Sequence, residues 1–243
     1  VSSPNWDNGA NAQAGAATWA SGVTGVNGAV SPFNSLVGST AGDIIGQFVT
    51  ALTNGNYVVN SDQWSDGAVW GVGAVTWGNG ATGITGVVSG ANSLIGSAAG
   101  DGIGGDAVGS GSGVIALTNG NYVVNSPWWS DGGIGQAGAA TWGNGSTGIT
   151  GVISSANSLV GSQTNVRVGY NGVTAMTNGH FVVISSQWNN GAVAQAGAAT
   201  WGNGTTGMAG VVSVANSLIG TIASDQIGSE GVTALTNGHY VVA

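Results

Sequence analysis

The chain has no cysteine and no lysine, and Arg167 is its only cation. Without cysteine there are no disulfides and no thiolate metal sites. Nucleic-acid recognition needs a basic footprint, and one cation against nine acids does not supply it. Charged residues are 4% of the chain, far below the roughly 25% of ordinary globular proteins. The same scarcity argues against anionic membrane surfaces, and no apolar run reaches the roughly 18 residues of a membrane span. Proline is also scarce, with three copies. The chain starts at Val1 with no leader-like segment, which suggests a mature, trimmed or excised piece.

What remains is unusual. There are 48 glycines and 10 tryptophans, and 42% of the residues are hydrophobic. A disordered linker carries little apolar content, so this is a folded, tight-turned chain. Its surface must be Asn, Ser, Thr and Gly, with little charge to repel neighbours. Such a surface favours self-association or neutral glycans as partners.

Internal repetition organises the sequence. Thr-Asn-Gly, then Asn or His, an aromatic and Val-Val, occurs at 53–59, 118–124, 177–183 and 236–242. Tryptophan recurs at Trp6, Trp64, Trp129 and Trp188, and after Thr at Trp19, Trp77, Trp142 and Trp201. Asn-Ser-Leu begins at Asn34, Asn92, Asn157 and Asn216. The tryptophan and Asn-Ser-Leu series all step by 58, 65 and 59 residues. The longer step places an insertion in the Gly/Ser-rich stretch 100–113. One domain, 1–243, thus holds four units of about 59 residues. They run over 1–46 plus 231–243, 47–109, 110–169 and 170–230. Aligning Val1 with Val183 and Val242 suggests a ring closed by both termini in one unit, or a cut from a longer array.

In the third copy, Val114 to Thr118 and Asn121 to Asn125 read as strands joined by Asn119-Gly120, a type I′ hairpin signal. Ala139 to Trp142 is a third strand and Ile149 to Ser155 a fourth, with Asn157 to Gly161 beyond it. Helix signals are poor, because glycine and β-branched residues are too frequent. The expected fold is all-β: a four-repeat β-propeller with four-stranded antiparallel blades and both termini in one blade. The rival, a parallel β-helix, contains no antiparallel hairpins.

Ile227-Gly228, Val232 to Gly238 and Tyr240-Val241-Val242 together resemble an FG-GAP repeat, the blade of the integrin α-type propeller. Ser126-Pro127 and Ser3-Pro4 stand near that repeat's Gly-Ala-Pro. The wording is also similar to repeats of large bacterial surface and adhesin-type proteins. The resemblance implies an extracellular or cell-surface setting. Calcium-binding members carry an acidic loop, whereas here the loop reads Thr53-Asn54-Gly55-Asn56, so no metal is expected there. Propellers of that family often have seven blades. Four units leave a four-bladed ring, a ring of two chains or a fragment.

No catalytic constellation emerges, and no cofactor is expected. His180 and His239 replace Asn56 and Asn121 beside a turn, as tolerated variants. Asp43, Asp101, Asp106 and Asp225 each stand three residues before a glycine and read as structural turn residues, and Glu230 is isolated. Gly109 to Gly113 alternates Gly and Ser, and no lysine or helix makes it a phosphate cradle. Trp19, Trp77, Trp142 and Trp201 are assigned to packing. The turn-side set is the ligand candidate: Trp6, Trp64, Trp129 and Trp188 for sugar stacking, with Asp7, Asp66, Asp131 and Asn190 as hydroxyl partners. Trp70 and Trp128 occur once each and are expected at the surface. The expected function is a non-enzymatic extracellular structural or adhesion module that self-associates or forms part of a surface array. The alternative is a multivalent carbohydrate-binding propeller, with one weak site per unit.

Overall fold

The structure is a computed structural model that describes residues 1–107 and 111–243. Unit one contributes β1 (Ser2–Ser3), β2 (Ala16–Ala17) and β3 (Leu36–Val37). Unit two holds β4 (Phe48–Ala51), β5 (Tyr57–Ser61), β6 (Ala74–Gly78), β7 (Gly86–Val87) and β8 (Ser93–Ile95). Unit three holds β9 (Val114–Ala116), β10 (Tyr122–Ser126), β11 (Ala139–Gly143), β12 (Gly151–Val152) and β13 (Ser158–Val160). Unit four holds β14 (Val173–Ala175), β15 (Phe181–Ser185), β16 (Ala198–Gly202), β17 (Gly210–Val211) and β18 (Ser217–Ile219). A last hairpin is β19 (Val232–Ala234) and β20 (Tyr240–Val242).

Each complete unit is a four-stranded antiparallel sheet, in the order β4-β5-β6-β8 for unit two. The fourth strand is not the one expected. Residues 149–155 yield only the short β12, while the Asn-Ser-Leu segment supplies β13, which pairs with β11. β12 crosses to the preceding unit and runs parallel to β8, with Gly151 opposite Leu94. β7 joins β3 and β17 joins β13 in the same way. Every junction is thereby sewn by backbone hydrogen bonds.

The motifs now have local causes. In Asn-Ser-Leu, Asn92 Nδ2 donates to the Val87 carbonyl, and its Oδ1 accepts from the Ser89 N–H. This clamps the crossing strand. The Ser93 hydroxyl pairs with that of Thr76 across the strands, and Leu94 is fully buried. Glycine follows Thr-Trp because an aromatic ring lies on it. A Cβ at Gly78, Gly143 or Gly202 would sit 2.2 Å from the ring of Tyr57, Tyr122 or Phe181. The Asn-Gly hairpins form, but not as type I′ turns. Gly120 has φ +89° while Asn119 is not among the residues with positive φ, and the Leu117 N–H bonds to the Asn121 carbonyl. This is a longer loop ending in a left-handed glycine.

The hydrophobic core lies between units. One buried cluster joins Leu52, Val75 and Leu94 of unit two to Tyr122, Val124 and Trp129 of unit three. Equivalent clusters join units one and two, and units three and four. Nearest-neighbour stacking of this kind is how solenoid repeats gain stability.

The expected closure at the termini is not found. β19 and β20 pair only with each other, and β1 pairs only with β2 among the described residues. The termini therefore do not complete one blade. The expected boundary at 109/110 and part of the Gly109 to Gly113 loop lie outside the described residues. The insertion is flanked by a bridge between Gly105 and Ser112.

Because Trp129 fills the junction between units two and three, Trp129→Ala should lower the unfolding free energy by about 3–5 kcal/mol. Chemical denaturation checks this, and limited proteolysis should cut first near that junction. An unchanged midpoint would remove the junction core from the account.

Candidate functional site

The structure closes most of the expected sugar platforms. Trp64, Trp129 and Trp188 are 3%, 1% and 6% exposed. Each sits in a junction cluster, Trp64 with Leu36, Ile45 and Val72 for instance. A covered indole offers no face for stacking, so these three assignments are corrected to core residues. Trp6, in the first unit described, is half-buried. Asp7, Asp66 and Asp131 are exposed and Asn190 half-buried. Asp7 Oδ1 accepts from the Gln13 N–H, and Asn190 Nδ2 donates to the Gly220 carbonyl. Asp66 and Asp131 form backbone bridges with Val69 and Ile134. These polar residues shape turns beside buried rings. The sequence placed the rings next to turns correctly, but gave no sign that the preceding unit covers them.

Part of that cover is the recurring aspartate. Asp43 Oδ2 accepts the N–H groups of Ser39 and Thr40, and its Oδ1 reaches across the junction to the Ser65 N–H. Asp101 does the same for Ser97, Ala98 and Ser130. Both side chains are shut off from solvent. Asp225 holds the same local turn. In unit three the position is the buried Val166, so one junction replaces these hydrogen bonds with apolar contact. Burial raises the carboxyl pKa of Asp43 and Asp101 above the ordinary value, against the opposing pull of their backbone donors.

A second recurrent contact is centred on one carbonyl. Gly145 of unit three accepts from Asn54 Nδ2, Asn56 Nδ2 and Trp77 Nε1 of unit two, at 2.8, 2.8 and 2.9 Å. Gly204 accepts likewise from Asn119, Asn121 and Trp142. The indole lies against a bare glycine. A Cβ at Gly148 would come 2.7 Å from the Trp77 Cβ. His180 keeps half of this pattern, since its Nδ1 accepts the Gly204 N–H, as Asn56 and Asn121 Oδ1 accept those of Gly80 and Gly145. It is a structural substitute beside a turn.

One groove differs between units. In unit three Gln136 and Arg167 face each other, with Arg167 Nε 2.9 Å from Gln136 Oε1. In unit four Gln195 and Gln226 take these places, and in unit one Gln13 and Ile44 do. In unit two both are glycine, Gly71 and Gly102. The space left is a cavity of about 230 Å³ that Asp62, Gln63, Trp70, Asp106 and Trp128 also line. As expected, Trp70 is at the surface, 62% exposed. Trp128 is half-buried, with the Arg167 guanidinium 4.7 Å from its ring centroid. Among the described residues, no group of three potential metal-ligating side chains is present, and no helix is long and apolar enough to cross a membrane.

The pH dependence of stability follows from Asp43, Asp62 and Asp101, all raised by burial. A raised folded-state pKa means that the native chain holds the proton more tightly than the unfolded chain. The stabilising effect is complete below the ordinary value of 3.8 and is lost as pH rises through the raised values. The melting temperature should therefore fall as pH rises from 3.8 toward neutrality, and Asp43→Asn should flatten the fall. A melting temperature that rises with pH over this interval would contradict the assignment.

Comparison with known sequences gives one family. A sequence model described as a repeat of unknown function (DUF5650) matches residues 1–47, 51–105, 116–170 and 175–229. No curated protein matches. The four matches coincide with the four units and cover most of the chain. The chain belongs to this family of tandem repeats.

Proposed function

We propose that the chain is a non-enzymatic extracellular structural and adhesion module whose copies associate end to end within a surface array. The observation that carries this is that units one and four present complementary faces, each shaped to receive a further unit. At the C-terminal face Leu218 is 58% exposed, while its equivalents Leu36, Leu94 and Leu159 are fully buried under the next unit's crossing strand. Trp201 is 43% exposed, where Trp19, Trp77 and Trp142 each bond to a following unit. Among the described residues, the outer edge of β20 takes no strand.

The N-terminal face offers the counterparts. Residues 28–29 are the equivalents of the crossing strands and have no partner strand among the described residues. Gly22 and Gly25 correspond to Gly80 and Gly83, which receive Trp19. A cavity of about 250 Å³ lined by Val1, Ala17, Trp19, Ala20, Val49 and Tyr57 lies where a β20-like strand would pair with β2.

The contact is heterologous. Such contacts build rings where the rotation closes and filaments where it does not. The likeness to FG-GAP repeats supports the extracellular setting, and its propeller ring enters only as a closure that several copies reach together. Few charges stand on the surface, so the net charge of −8 is the only electrostatic opposition to contact between copies, and added salt screens it. The alternative of one glycan site in every unit lacks support, since three of its four platforms are buried.

One detail weakens the contact. Ala20 stands where Gly78, Gly143 and Gly202 carry an aromatic ring, so its Cβ meets the incoming Tyr240. Light scattering should show a mass above 23.4 kDa that rises with concentration. Ala20→Gly should strengthen the association and Leu218→Asp should abolish it. A mass fixed at one chain for all three proteins would overturn the proposal.

A further inference from the structure

The groove of unit two departs from the other units at several positions at once. Gly71 and Gly102 have φ +63° and +51°. Positive φ alone would explain glycine, but the equivalent residues show that it does not. Gln13, Gln136 and Gln195 hold φ between 50° and 54°, and Ile44, Arg167 and Gln226 hold φ between 46° and 51°. The fold tolerates side chains at both places. Nor does crowding demand glycine, since a Cβ at Gly71 or Gly102 would find nothing nearer than 3.8 Å. What the two glycines achieve is empty space.

The rim of that space is also particular to unit two. Trp70 replaces the Ala12, Gly135 and Ala194 of the other units, and Asp62 replaces Pro4, Pro127 and Ser186. The insertion brings Asp106, whose backbone carbonyl accepts the Trp128 indole N–H at 3.3 Å. Trp128 stands where the other units have Asn5, Gln63 and Gln187. Gln63 Nε2 bonds to Asp62 Oδ2 at 3.3 Å. The Asp62 carboxyl is raised chiefly by burial, with a further contribution from the negative charge of Asp106.

We infer that this groove is a single binding site for a neutral pyranose of an oligosaccharide, with Trp70 as the stacking platform. The exposed indole offers a flat apolar face to the C–H side of a sugar ring. Asp62, Asp106 and Gln63 line the same cavity and can accept hydrogen bonds from ring hydroxyls. Two carboxylates exclude an anionic ligand. The Arg167 guanidinium already occupies a face of Trp128, which leaves the exposed Trp70 as the open aromatic platform. The site rests on the groove alone and is independent of the end-to-end association proposed above.

The test is titration of the full chain with cellohexaose, maltohexaose and chitohexaose, read by the indole N–H resonances and by calorimetry. The expected result is a fast-exchange shift of the Trp70 and Trp128 indoles with at least one of the three sugars. Trp70→Ala should remove the shift at Trp128, and Trp70→Phe should retain part of it. Gly102→Gln, which restores the side chain of unit four, should block binding in a chain that still folds and melts cooperatively, at a modest cost for the positive φ. Silence of all three sugars at millimolar concentration would overturn the inference. So would binding that survives both Trp70→Ala and Gly102→Gln, or a response of these indoles to tetramethylammonium alone.

Discussion

One carbonyl at each junction organises the stack. Where Gly145 or Gly204 accepts two hairpin amides and an indole N–H from the unit before, hairpin, central strand and neighbour are fixed together. Each such hydrogen bond contributes about 0.5–1.5 kcal/mol, and the buried clusters on either side of the junction supply the larger hydrophobic share. The glycines beneath the indoles are required by this approach, since any side chain at Gly83, Gly148 or Gly207 would collide with the tryptophan. A single unit lacks both a partner for its carbonyl and a cover for its leucine. It is therefore structured by its neighbours.

Much of this was legible in the sequence. Repeat number, period, all-β character, the hairpins and the packing role of the strand tryptophans follow from spacing and residue type. Two of the failures share one cause. Trp64, Trp129 and Trp188 looked available because the residues after them read as a turn, yet the covering atoms come from the preceding unit, through Asp43, Asp101, Val166 and their loops. The strand predicted from Ile149 to Ser155 likewise gave its pairing to another unit. Ring closure was suggested by phase alone, and phase is the same for a ring and for an open stack. Trp70 and Trp128 carried no repeat signal, and it is their departure from the repeat that marks the groove.

The two functional proposals use different parts of the molecule. Association uses what every unit shares, exposed only where the stack ends. The groove uses what one unit alone has, exposed in mid-stack. A tandem array can thus keep its junctions uniform while one unit acquires recognition, because the groove residues take no part in the junction carbonyl or in the crossing strand.

The most direct test of the open stack with mating ends exploits the absence of cysteine. In the junctions Val37 stands opposite Val87 and Ile95 opposite Val152, which makes Ile219 and Ala29 the corresponding pair at the two end faces. In the double variant Ile219→Cys, Ala29→Cys, oxidation should give a ladder of disulfide-linked multimers joined between chains. A disulfide closed within single chains would contradict the open stack, and no disulfide at all would contradict the mating of its ends.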